Sequence, residues 1–272
     1  MKYSITIPYQ YETGFSPFSV EEYAEALVWA KENGLDGVEL CISDYENVSV
    51  ERIREELDRI GLACSTISTG QALGRENISL LHADEDAAMR AQQRFVQHIN
   101  AASILGSKVT IGLLRGIGSG EGVAQQSVLL RERLLPLVEQ AESRNVTLLI
   151  EPINRYETQL LNDTEGTVSF IESSFPDSMR VKVLWDVFHA NIEEREFCET
   201  IDRFANRIGH VHLADSNRLP PHFGHINFHG IFQMLKDHNY DQFVSFECRN
   251  LPSIENTLQS MAAFVKEMKT RY

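Results

Sequence analysis

With 272 residues, 43% of them apolar, the chain is long enough for one large α/β domain with a substantial core. Its 25 Lys and Arg against 39 Asp and Glu give a formal charge of −14, a field that repels phosphates at long range and excludes a nucleic-acid partner from the expected readings. Four scattered cysteines without CxxC spacing, no apolar run near the roughly 20 residues that span a bilayer, and an opening MKYSITIPYQ too polar for a signal peptide predict free thiols, no membrane partner and a soluble cytoplasmic protein.

In chain order the first predicted strand is YSITIP from Tyr3. Ser19 then stands as N-cap before VEEYAEALVWAKENG, with acids in the first turn and Gly34 as the stop. Strands follow at GVELCI from Gly37 and LACSTIS from Leu62, and Asp86 to Leu105 carries apolar residues at helical spacing. The strand SKVTIGLL from Ser107 leads to a second long amphipathic stretch, Gln125 to Ser143. Four more strand-like runs are VTLLIE ending at Glu151, VKVLWD ending at Asp186, IGHVHLAD from Ile208 and FVSFE ending at Glu247, before a closing helix from Ile254 to Met268.

Several of these runs are apolar almost throughout, which suits strands buried on both faces of a parallel sheet. Eight strands alternating with helices predict a single closed (β/α)8 barrel spanning residues 1–272, and no GxGxxG turn follows the first strand to favour an open doubly wound sheet. In such a barrel the C-terminal strand ends share one mouth. Glu151, Asp186, His212 and Glu247 are spaced by roughly one βα unit each, so all four converge there. Any one carboxylate is a plausible helix cap or loop charge. Four in successive units predict a site for one divalent ion, with oxygen and nitrogen ligands that suit Mn2+ first and admit Co2+, Mg2+ or Zn2+. A bound ion polarises a carbonyl, and Glu151 and Glu247 are the natural pair to take a proton from one face of the adjacent carbon and return it on the other.

The motifs around these residues resemble those of the xylose-isomerase-like TIM-barrel superfamily, closest to its ketose 3-epimerase branch of tagatose and psicose epimerases. The resemblance covers nearly the whole chain and is densest from Val146 to Asn250. It is carried by EPINRYET at Glu151–Thr158, DVFHANIEE at Asp186–Glu194, HVHLADSNR at His210–Arg218 and FECR at Phe246–Arg249. It implies Glu151, Asp186, His212 and Glu247 as metal ligands, Glu151 and Glu247 as the acid/base pair, and Glu157, His189 and Arg218 as substrate contacts. The expected partner is a small sugar or sugar phosphate, and relatives are often oligomers. The loop LPPHFGHINF departs from the family pattern. His222 and Asn227 stand where the family more often has glycine and aspartate, and His222 is expected to reshape the loop because it does not take glycine's backbone angles freely.

Other residues carry weaker signals. Arg115, after the fourth strand, is a candidate to bind a phosphate or carboxylate at the same mouth. Glu39, ending the second strand, reads first as a structural charge and second as a group that orients a ligand. His222, His225 and His229 read as surface histidines rather than a second metal site, and Phe15 and Trp185 as core aromatics. The main alternative chemistry is elimination, a lyase or dehydratase using the same enediolate. An apurinic endonuclease needs a basic face that this chain lacks.

Overall fold

The structure is a computed structural model that describes residues 1–119 and 122–272. Its elements in order are β1 (Lys2–Pro8), α1 (Tyr23–Glu32), β2 (Gly37–Cys41), α2 (Val50–Ile60), β3 (Ala63–Ser68), α3 (Gln71–Glu76) and α4 (Glu85–Leu105). They continue with β4 (Lys108–Ile111), a 3-10 turn (Leu113–Arg115), α5 (Val123–Ser143), β5 (Leu148–Ile150), α6 (Thr164–Ser174), β6 (Val181–Asp186) and α7 (Val187–Glu193). The last are α8 (Phe197–Phe204), β7 (Ile208–Leu213), α9 (Phe228–Asp237), β8 (Phe243–Phe246) and α10 (Ile254–Arg271). The eight strands close into one barrel in sequence order, β8 pairing with β1 and every pair parallel. This is the predicted (β/α)8 barrel. No helix among the described residues is long and apolar enough to cross a membrane.

The helices start and stop where local chemistry directs. Ser49, Asp84 and Ser253 accept backbone N–H bonds at the N-termini of α2, α4 and α10, and Gly61 and Gly106 end α2 and α4 in the left-handed region. The first helix differs from expectation. Ser19 donates its hydroxyl to Glu22 and forms a turn, and the helix begins only at Tyr23.

Both faces of the strands are buried, as expected, but the two faces differ. In β1, Tyr3, Ile5 and Ile7 alternate with Ser4 and Thr6, all buried. In β7, His210 and His212 alternate with Val211 and Leu213. Period-two geometry puts each set on its own side, so one face of these strands is a polar column. The register stacks that column: Thr6 pairs with Glu39, Ser4 with Ser245, Ser245 with His212, and His212 with Asp186. It leads upward to the C-terminal mouth.

Candidate metal centre and active site

The four predicted side chains meet. Asp186 is the last residue of β6, His212 lies near the end of β7, and Glu151 and Glu247 directly follow β5 and β8. His212 Nδ1 stands 3.7 Å from Glu151 Oε1, 3.9 Å from Asp186 Oδ2 and 3.6 Å from Glu247 Oε2. One ligand atom from each residue lies within 4.8 Å of all the others. Asp186 also caps α7, its Oδ1 accepting the Phe188 N–H at 2.7 Å, which leaves Oδ2 turned to the cluster.

The residues fit a divalent ion. Asp186 Oδ2 and His212 Nδ1 are buried and, among the described residues, have no hydrogen-bond partner. Such atoms cost about 1–3 kcal/mol each when left unsatisfied, and a shared cation removes that cost. Three carboxylates and one imidazole also match the ligand types that hard and intermediate divalent ions take. Electrostatics point the same way. Burial opposes the charge of Asp186, but Arg218, His189 and His212 override it and hold the carboxyl below its usual range. Burial likewise opposes a charged His212, but Glu39 and Glu247 override it and raise the imidazole well above its ordinary value.

Above the cluster lies a cavity of about 260 Å3 lined by Glu151, Glu157, His189, Arg218 and Glu247, with Phe15 and Ile153 among its apolar walls. The Arg218 guanidinium lies between the rings of Phe15 and Phe188, at 4.8 and 4.7 Å, and donates to Glu247. Its Nη1 is 3.0 Å from His189 Nε2. Phe15, expected as core packing, is therefore part of the site, whereas Trp185 packs edge-on to Phe197 in the core as expected.

Arg115 is a correction. It is fully buried and does not line the cavity; its guanidinium donates to the carbonyls of Ile111, Gly112, Leu160 and Leu161. Both Nη groups are thus spent tying β4 to the loop after β5, and the whole side chain is buried away from the cavity lining. His222 meets the backbone demand of its position. It takes the left-handed angle itself, with φ of 78°, and its N–H donates to Asp215 Oδ2 at 2.9 Å. His222 and His229 both face Glu267, and His225 meets Ser216. Among the described residues these three histidines belong to no potential metal-binding group.

Three contributors escaped the sequence reading. Asn154 accepts the Tyr156 N–H on Oδ1, which turns its Nδ2 to His189 Nδ1 at 2.7 Å and Glu157 Oε1 at 2.9 Å. Asn154 thus holds the His189 ring through Nδ1, while Arg218 Nη1, which also only donates, faces Nε2. Asp215, fully buried, accepts the N–H groups of Ser216, His222 and Ile226 and so shapes the loop that carries Arg218. At Gly112 a Cβ would stand 2.8 Å from Glu151 Oε2, so any side chain there displaces that carboxylate. Asn154 and Asp215 lie inside the EPINRYET and HVHLADSNR motifs that sequence reading had in hand; Gly112 lies outside both.

Comparisons with known proteins agree with this geometry. A family model described as xylose isomerase-like TIM barrel matches residues 27–268. An L-ribulose 3-epimerase of Mesorhizobium japonicum is 28% identical over 254 residues, covering 91% of this chain and 82% of that protein. A 3-dehydro-D-guloside 4-epimerase of Escherichia coli is 24% identical, covering 85% and 89%. The solved structure of an L-ribulose 3-epimerase superposes with a TM-score of 0.82 at 26% identity, over 97% of this chain and 93% of that one.

Proposed function

The chain belongs to the xylose isomerase-like TIM barrel family, and on that premise we propose that it is a divalent-metal-dependent sugar epimerase acting at carbon 3 of a ketose. The observation that carries the reading is the placement of two carboxylates, Glu151 and Glu247, about one buried imidazole at 3.7 and 3.6 Å, both lining a single cavity. They come from β5 and β8, three strands apart around the barrel, and so approach a bound molecule from different sides. The relatives reported above, epimerases by name, support the same class.

Glu151 and Glu247 exchange roles in this scheme. One carboxylate removes the proton from the carbon beside the carbonyl, and the other, protonated, delivers a proton to the opposite face. His189, its ring held by Asn154 at Nδ1 and by Arg218 at Nε2, lines the cavity beside the substrate oxygens and fixes the guanidinium there. Arg218, whose proton Asp186 and Glu247 hold against the pull of burial, supplies a fixed positive charge beside the same oxygens. Glu157 accepts a hydroxyl. When bound, the divalent ion (Mn2+ before Co2+, Mg2+ or Zn2+) supplies Lewis-acid polarisation of the substrate carbonyl.

The test is incubation of Mn2+-loaded protein in D2O with a panel of ketoses and ketose phosphates, read by NMR. Deuterium at C3 together with a new epimer is the expected result and names the substrate. Exchange at C1 would replace epimerisation by aldose–ketose isomerisation, and a panel without exchange would refute sugar epimerisation. No observation in the site favours elimination.

A further inference from the structure

Glu39 lies midway along β2 with no exposed surface, and its only side-chain bonds among the described residues are to two imidazoles. Its Oε2 is 3.0 Å from His212 Nε2 and 3.2 Å from His210 Nε2. A carboxylate so placed is costly unless charge or hydrogen bonds compensate it, and among the described residues no lysine or arginine makes an ion pair with it. The burial is therefore spent on the two histidines. One of them is the nitrogen donor of the candidate metal centre.

We propose that Glu39 is the positioning residue that fixes His212 as a metal ligand through Nδ1. An imidazole that ligates a metal is neutral and has one N–H, and an ionised carboxylate only accepts. The bond to Glu39 therefore puts the His212 proton on Nε2 and leaves the Nδ1 lone pair facing Glu151, Asp186 and Glu247. Those three carboxylates, at 3.6–3.9 Å, would otherwise draw the proton to Nδ1 and close the ligand position. The closer contact to Glu39 decides the contest. His210 bonds the same oxygen and stands edge-on to His212, ring centroids 5.3 Å apart at 83°, so it holds the carboxylate in register. The negative charge behind the ring also makes Nδ1 a stronger donor to a cation.

This inference rests on the metal-centre part of the proposed function, and its test reads metal rather than turnover. Metal-free protein is titrated with Mn2+ by calorimetry as wild type, Glu39→Gln and Glu39→Ala. Wild type is expected to take one ion per chain, and the variants to bind it about 10- to 100-fold more weakly. The near-isosteric Glu39→Gln guards against a folding defect, checked by the circular dichroism and melting of the metal-free forms. In 15N-labelled wild type loaded with Zn2+, His212 should show a protonated Nε2 and a proton-free Nδ1, a signature that a merely space-filling Glu39 would not set.

Unchanged Mn2+ affinity in folded Glu39→Gln overturns the proposal. So does an Nδ1-protonated His212 in the loaded protein. A second tight ion per chain does too, because it would occupy the nitrogens assigned to Glu39. A wild type that gives the expected affinity and spectra yet epimerises no sugar supports the role of Glu39 and refutes the functional reading alone.

Discussion

Arg218 reaches Glu247 from a backbone in the left-handed region, with φ of 61°, and its Nη2 also stands 3.4 Å from Asp186 Oδ2. A non-glycine residue rarely takes that angle, and here the loop bonds from Arg218 N–H to Asp215 O and from Arg249 N–H to Arg218 O hold it. The guanidinium thus sits as a fixed cation against the same carboxylates that face His212. Cation and metal ion compete for that negative charge.

Arg218→Ala is therefore expected to bind Mn2+ more tightly while turning over more slowly. Removing one charge beside two carboxylates should tighten the ion by about tenfold, near 1.4 kcal/mol. Turnover should fall by about 100-fold through loss of the charge beside the substrate oxygens. Calorimetry and steady-state kinetics on one preparation check both signs. Weaker Mn2+ binding would show that Arg218 supports the centre instead of opposing it.

Glu151→Gln and Glu247→Gln are each expected to lower epimerisation by about a thousandfold. Because each residue is also a proposed ligand, metal content is measured by elemental analysis and the assay is run at saturating Mn2+. The remaining glutamate should still exchange deuterium into one epimer without producing the other. Near-normal formation of the second epimer in either variant would rule out the two-base scheme.

Arg115→Leu should damage the fold and spare the site. It strips donors from up to four buried carbonyls, a loss of at least about 2 kcal/mol. Chemical denaturation should show that loss, while KM for the accepted sugar stays close to the wild-type value, because the Arg115 side chain does not line the cavity. A large KM change with unaltered stability would return Arg115 to the binding site.

Acid should weaken the fold before its carboxylates titrate. His98, buried on α4 with Nδ1 2.8 Å from the Tyr45 hydroxyl, is pushed down to about 3 by burial and then by Arg94. Its folded value lies below the unfolded one, so below about pH 6.5 the unfolded chain binds the extra proton and stability falls with pH until about 3. The slope from this one group approaches about 1.4 kcal/mol per pH unit. Glu39, lowered to about 2 by His212 and His210 against the pull of burial, keeps its contribution above about pH 4.5 and loses it only below. Urea unfolding at pH 7 and pH 5 should show a shallower difference in His98→Phe than in wild type; an equal slope would remove His98 as the cause.

The barrel and its four converging ligands were legible because each ends an apolar run, and a charge at such a boundary has few bland explanations. Glu39 was ambiguous for the opposite reason. It sits inside a strand buried on both sides, where alternation does not tell the barrel interior from the helix layer, and its two partners lie 171 and 173 residues away. Arg115 misled because a position after a strand fixes neither the direction of a long side chain nor its partners. Asp215 could not be read as a loop organiser, since its bonds go to backbone N–H groups that any sequence supplies.

The Asp215 arrangement separates two kinds of change. The ligand residues stand on or beside strands, whereas Arg218 rides on a segment suspended by N–H bonds from one buried carboxylate. Side-chain identity in that segment matters little to the suspension, apart from Gly224, where a Cβ would collide with Asp215 Oδ1 at 2.2 Å. Arg218 and Gly224 apart, residues 216–226 therefore behave as an exchangeable cassette. A lineage or a designer can swap their chemistry for a new sugar without rebuilding the floor beneath.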